Sequence, residues 1–188
     1  MKRHTSPPPS LPVSEKQRPA LLKRLLSGTI LLAVGFGCLA QSVAQDRIAL
    51  VVGIGDYQHI AKSGHAVASS RLVAEALKTA GYEVTALEDL DIARLDEALA
   101  AFREKVDRVA KAGLFYFAGH AIEYEGENYL LPTDVSADTA AQLKRQAVSL
   151  SATLKDLEAT KLPAKMVVLD SCRENPLKGR PWLEDAKK

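Results

Sequence analysis

Only two cysteines and one tryptophan occur in these 188 residues, and aromatic side chains make up 5% of the chain. Two cysteines cannot build the multi-bridge framework of a small secreted scaffold. An aliphatic core must therefore hold the fold, and the length suffices for one domain to do so. Basic excess is scarce as well. The formal net charge is +2, but residues 1–44 carry six Lys/Arg against Glu15 alone, which leaves 19 basic and 22 acidic residues beyond them. The remainder is mildly acidic and has no basic field for a nucleic-acid partner. Paired Cys or Glu at zinc-ligand spacing are missing. "VGIGDYQ" is neither a GxGxxG turn nor a lysine-bearing phosphate loop. No cofactor or metal is expected.

What is present begins with an address label. "RPALLKRLLSGTILLAVGFGCLAQSVAQ" joins a basic stretch (Lys23, Arg24) to an uncharged apolar run from Leu25 to Ala40, with Ser42 and Ala44 placed as a signal-peptide cleavage site requires. Export, with a periplasmic destination, and cleavage after Ala44 are expected. Three alternatives stay open: an uncleaved membrane anchor, since residues 25–44 carry no charge; a lipoprotein attached at Cys38; and a start codon assigned too far upstream. A membrane is met only through an uncleaved leader. Cleavage at Ala44 leaves Cys172 as the mature chain's only thiol, unable to form an internal disulfide.

Apolar strands then alternate with helical periods. "RIALVVG" (47–53), "EVTAL", "GLFYFAG" and "AKMVVLDS" read as strands. "SSRLVAEALKTAGYEV" carries apolar residues at helical spacing, with Ser69 or Ser70 as the expected cap and Gly81 as the stop. "DIARLDEALAAFREKVDRVAKAG" is an amphipathic helix capped by Asp91, and "SLSATLKDLEAT" a helix capped by Ser149 or Ser151. "EYEGENYLLP" predicts a hairpin turning at Glu125-Gly126. Strands alternating with helices imply a parallel α/β sheet, whose chemistry sits at the carboxyl ends of its strands.

That rule selects His120, just past the third strand, and Cys172, just past the fourth. If those strands are neighbours, a thiol faces an imidazole, the minimal kit for a cysteine nucleophile. The N–H groups of Ala121 and Cys172 can then face a developing oxyanion. A histidine tied to strand-end carbonyls, a lone cysteine acting as a small buried hydrophobe and a redox-sensing thiol are the competing readings. His59 and His65, in the loop after the first strand, have weaker claims as surface histidines.

"RIALVVGIGDY", "FYFAGHAIEYEGENYLLPTD" and "VVLDSCRENP", in this order, resemble the three signature blocks of bacterial caspase-like proteins, relatives of the metacaspases among the cysteine peptidases. The interval between His120 and Cys172 is near the roughly 50-residue spacing of caspases. The resemblance runs from about Asp46 to Pro176. It implies a caspase-hemoglobinase-like α/β sandwich, a mainly parallel sheet flanked by helices, here lacking the small-subunit strands. It also implies an endopeptidase in which Cys172 is the nucleophile and His120 the general acid/base, with backbone N–H groups of Ala121 and Cys172 as the oxyanion hole. Asp170 falls at the metacaspase pocket for a basic side chain, and Arg47 at an arginine that receives aspartate in true caspases, two opposed specificities. The family's Gly-His-Gly is Gly-His-Ala here, and the position of a second pocket aspartate holds Ser69.

The implied organisation is an N-terminal extension and signal peptide over 1–44, a caspase-like large-subunit domain over 45–178 and a tail over 179–188, where Trp182 either docks a partner or covers the sheet edge. The expected partners are a protein or peptide substrate and a separate small-subunit-like chain, with a calcium requirement left open. A catalytically weak interaction module is the alternative function.

Overall fold

The computed structural model describes residues 46–171 and 175–185. The expected leader and expected cleavage site, together with Cys38 and Cys172, lie outside the described residues.

The β-branched run Arg47–Gly53 forms β1, buried at every position after Arg47, as a strand covered on both faces must be. Helix α1 (Ala66–Thr79) and strand β2 (Glu83–Glu88) follow, then α2 (Ile92–Val109) and β3 (Ala112–Gly119). Strands β4 (Ala121–Tyr124) and β5 (Glu127–Leu130) make a hairpin. Next come α3 (Ala140–Gln146), β6 (Val148–Ser149), α4 (Leu150–Glu158), β7 (Ala164–Ser171) and α5 (Pro181–Asp185). The main sheet has the order β2-β1-β3-β7, parallel throughout, and β4-β5-β6 form a small antiparallel sheet.

Alternation along the central strands divides the core. Ile48, Leu50, Val52, Phe115 and Phe117 face a large cluster that takes in Leu95 and Phe102 of α2 and Leu130 of β5. Ala49, Val51, Leu114, Tyr116 and Ala118 face the other way, onto Ala66 and Ala74 of α1. The second face is built from smaller residues because α1 lies close to it. A Cβ at Gly53 would stand 2.1 Å from the Ser70 Oγ, so glycine at the end of β1 sets that approach. Each large apolar side chain buried in this way contributes about 1.5–3 kcal/mol.

Asp91 and Ser149 cap α2 and α4 as expected, each accepting a backbone N–H from three residues on. Gly81, with φ of 82°, follows the end of α1, and Glu125-Gly126, both with positive φ, make the hairpin turn. The start of α1 differs from expectation: it begins at Ala66 behind His65, so neither Ser69 nor Ser70 is its cap. Ser70 instead donates to the Val67 carbonyl within the helix and is buried over Gly53. The short elements α3, β6 and α5 have too few residues to leave a period in the sequence.

Strand β7 is the least covered strand. Among the described residues it pairs with β3 on one side only, and Met166 (56%) and Val168 (36%) stay exposed. Trp182 packs elsewhere, donating its Nε1–H to the Ala137 carbonyl at 3.0 Å and meeting Tyr124 edge-on. It thus closes over the small sheet and not over β7. Among the described residues no helix is long and apolar enough to cross a membrane.

Candidate active site

The two strands singled out by the sequence are neighbours. Their register pairs Ala118 with Asp170 and Gly119 with Ser171. His120 follows the first strand of this pair; Cys172, the residue after Ser171 in the sequence, lies outside the described residues.

His120 occupies the one-residue passage from the main sheet into the hairpin, and it is only 6% exposed. Its carbonyl accepts the Leu131 N–H at 3.0 Å, and its own N–H donates to the Tyr57 hydroxyl at 2.7 Å. The Tyr57 ring lies against the imidazole with centroids 4.7 Å apart. Glycine at 119 is required for this contact, because a Cβ there would stand 2.7 Å from the Tyr57 hydroxyl.

The imidazole is oriented by a backbone carbonyl. Nε2 lies 2.8 Å from the Ala61 oxygen. A carbonyl only accepts, so Nε2 carries the hydrogen and, in the neutral ring, Nδ1 is left with a bare lone pair. Nδ1 is buried and has no hydrogen-bond partner among the described residues. A buried acceptor without a partner costs about 1–3 kcal/mol, a cost removed when a thiol, water or substrate N–H pairs with it.

Ala61 and Tyr57 both belong to the loop after β1, and that loop is pinned from several sides. Ile54 donates to the Ala118 carbonyl at 2.8 Å, and Gln58 to the Thr133 carbonyl at 2.9 Å. The Asp89 carboxylate, at the end of β2, accepts the N–H groups of Gly55 and Asp56 through one oxygen at 2.8 and 2.9 Å. Ser63 donates back to the Gly55 carbonyl at 3.0 Å, closing the loop on itself. Asp134, in the segment after the hairpin, accepts the Ile92 N–H at the start of α2. None of Tyr57, Ala61, Asp89 or Asp134 was assigned a role from the sequence. Tyr57 stands in the first signature block, which was its only signal, and a carbonyl acceptor such as Ala61 leaves no side-chain trace at all.

Ala121 opens β4. The bond from Leu131 N–H to the His120 carbonyl marks 120 and 131 as a hydrogen-bonded pair, so the next pair, Ala121 and Leu130, is of the non-bonded kind. The Ala121 N–H is therefore directed away from β5. Its φ is not positive, and the methyl that replaces the family's glycine causes no backbone strain.

Asp170 stands on the exposed edge strand, level with Ala118, and accepts a hydrogen bond from the Tyr116 hydroxyl at 2.8 Å. Burial, reinforced by this carboxylate, pushes the Tyr116 phenol up to about 12. The fold separates Arg47 from this group. It begins β1 level with Ala112, while His120 lies past the carboxyl ends of the strands, about 26 Å away at ~3.3 Å per residue; its guanidinium reaches the Ala80 carbonyl instead. Arg47 and His120 thus stand at opposite ends of the parallel sheet. Ser69 lies half-buried early in α1, its N–H donating to the His65 carbonyl, and is joined to His120 by no hydrogen bond. His59 and His65 are exposed. Among the described residues no group of three or more His, Cys, Asp or Glu is placed to hold a metal ion.

Comparison with known proteins places these features in a context. The family described as "Caspase domain" matches residues 46–187. The human mucosa-associated lymphoid tissue lymphoma translocation protein 1 is 24% identical over 134 residues, which are 71% of this chain but 16% of that protein. Among solved structures, the Drosophila initiator caspase Dronc superposes with a TM-score of 0.52 at 13% identity, over 72% of this chain and 52% of that one. A Geobacter sulfurreducens protein gives a TM-score of 0.52 at 17% identity, over 68% of this chain and 50% of that one. The chain thus spans a small part of its curated relative and about half of each solved chain, and at these identities the structural likeness is one of fold.

Proposed function

The chain belongs to the caspase domain family, and from that premise we propose that it is a cysteine-type endopeptidase domain working through Cys172 and His120. The observation that carries the reading is the state of His120: a buried ring, held through Nε2, with Nδ1 unpartnered among the described residues. The pairing of Gly119 with Ser171 supports a nucleophile at the next residue of β7's chain.

In this reading the Cys172 thiol gives its proton to His120 Nδ1, and its sulfur attacks the scissile carbonyl carbon. Negative charge on the carbonyl oxygen is met by the N–H groups of Ala121 and Cys172. Collapse breaks the C–N bond; His120 passes the proton to the leaving amine, and a thioester to Cys172 remains. Water, losing a proton to His120, then releases the carboxylic acid product and restores the thiol. Asp170 is the acid offered to a basic side chain before the scissile bond. With Ser69 in place of a second acid, that preference is weak. No metal enters any step.

The edge of β7 that is unpaired among the described residues, with Met166 and Val168 exposed, favours a second reading in which this module binds a small-subunit-like partner and cuts slowly or not at all. One experiment separates the two. A peptidyl alkylating probe at pH 7 is applied to the wild type, His120→Ala and Cys172→Ala. Rapid labelling of Cys172 that collapses in His120→Ala supports the peptidase; slow labelling indifferent to His120 refutes it and leaves the interaction module.

A further inference from the structure

We propose that Asp89 and Tyr57 are positioning residues that hold His120 in the Nε2–H form through the loop between β1 and α1. The inference deepens the peptidase reading and rests on it for its functional meaning, but the device is built from observed contacts. Two loop groups act on His120 from different directions. The Tyr57 hydroxyl takes the backbone N–H at 2.7 Å, and the Ala61 carbonyl faces Nε2 at 2.8 Å. One fixes where the residue sits; the other selects which nitrogen keeps the hydrogen.

A loop can select a tautomer only if it is itself fixed, and Asp89 supplies that. Its Oδ1 accepts two consecutive N–H groups, Gly55 and Asp56, just before Tyr57. Its own N–H donates to the Gly53 carbonyl at 2.9 Å, so the end of β2 clasps the end of β1 by both backbone and side chain. Asp89 does this with φ of 48°, a left-handed conformation uncommon outside glycine and tolerated best by Asn and Asp. Side chain and conformation together restrict the position to few residue types. The Ser63 N–H on the Gly55 carbonyl then ties the far side of the loop, beyond Ala61, to the segment Asp89 holds. The charge of Asp89 is secondary to its geometry. Asn keeps both the acceptor oxygen and the tolerance of positive φ, whereas Gly keeps the φ and loses the acceptor.

The test uses the full chain labelled with 15N at histidine. The ring-nitrogen shifts of His120, assigned with His120→Gln, report the tautomer directly and do not depend on peptidase activity. Wild type is expected to show a single Nε2–H species. Tyr57→Phe and Asp89→Gly are expected to show both tautomers in exchange, and Asp89→Asn to stay with the wild type. In parallel, iodoacetamide alkylation of Cys172 at pH 7 is expected to slow about tenfold in Tyr57→Phe and Asp89→Gly, an effect of the order of one hydrogen bond, and by less than twofold in Asp89→Asn. A single Nε2–H species in Tyr57→Phe and Asp89→Gly overturns the proposal, and so does failure of Asp89→Asn to retain the wild-type tautomer. If the tautomers behave as expected while the wild-type thiol is unreactive, the positioning device stands and the peptidase reading falls. Should Tyr57→Phe not fold, the Asp89 pair still decides.

Discussion

The contact between Gly119 and Tyr57 makes a quantitative prediction. Adding a methyl in Gly119→Ala places a Cβ 2.7 Å from the Tyr57 hydroxyl, 3.0 Å from Phe117 Cζ and 3.2 Å from the Ile54 carbonyl. Gly119 does not have positive φ, so the backbone accepts alanine and the cost is one of overpacking, about 1–3 kcal/mol. Tyr57→Phe removes the hydroxyl and strands the buried His120 N–H, a loss of about 1–3 kcal/mol. Combined, the two are not additive, because removal of the hydroxyl relieves the nearest clash of the new methyl. The contacts at 3.0 and 3.2 Å remain, so relief is partial. The double variant should be more stable than the sum of the singles by about 1 kcal/mol, well outside the ~0.3–0.5 kcal/mol scatter of independent sites. Urea unfolding followed by the fluorescence of Trp182, the only tryptophan, measures all four proteins. Equal m-values show that the same transition is compared. Additivity within 0.5 kcal/mol would refute the claim that glycine is present at 119 to admit the Tyr57 hydroxyl.

Three further outcomes are expected. The Tyr116 phenol, raised to about 12 from an ordinary 10.0, is favoured in its protonated form by folding, so its contribution is complete below pH 10 and is lost as pH rises toward 12; the urea midpoint of the wild type should fall more steeply over that window than that of Tyr116→Phe, and parallel declines would count against it. Gly53→Ala drives a Cβ to 2.1 Å from the Ser70 Oγ and should cost about 1–3 kcal/mol, with Ser70→Gly recovering part of the loss in denaturant titrations. Asp91→Ala removes the cap on the Arg94 N–H and should cost about 1 kcal/mol, with most of it restored by Asp91→Ser; an unchanged unfolding midpoint in Asp91→Ala would show that the cap is idle.

Local patterns along the chain encode part of this fold. The buried strands β1 and β3 are continuous apolar runs. Asp91, Ser149 and Gly81 mark helix ends by their own hydrogen-bonding or conformational chemistry, and Glu125-Gly126 turns the hairpin. His120 and Cys172 stand out because parallel sheets present chemistry at strand ends, and the three blocks in order carry the family resemblance. Tertiary structure decided what sequence distance hides. It made β3 and β7 neighbours although a hairpin and two helices intervene. It put Arg47 at the opposite end of the sheet, because a strand separates its own termini by its full length. It also began the helix at Ala66, ahead of the expected cap Ser69 or Ser70, and set Ser70 against Gly53. The state of His120 belongs wholly to this second kind. Its tautomer depends on a carbonyl 59 residues away and its backbone on a hydroxyl 63 residues away. Such partners are set by how the chain closes in space, and no local period or motif records them.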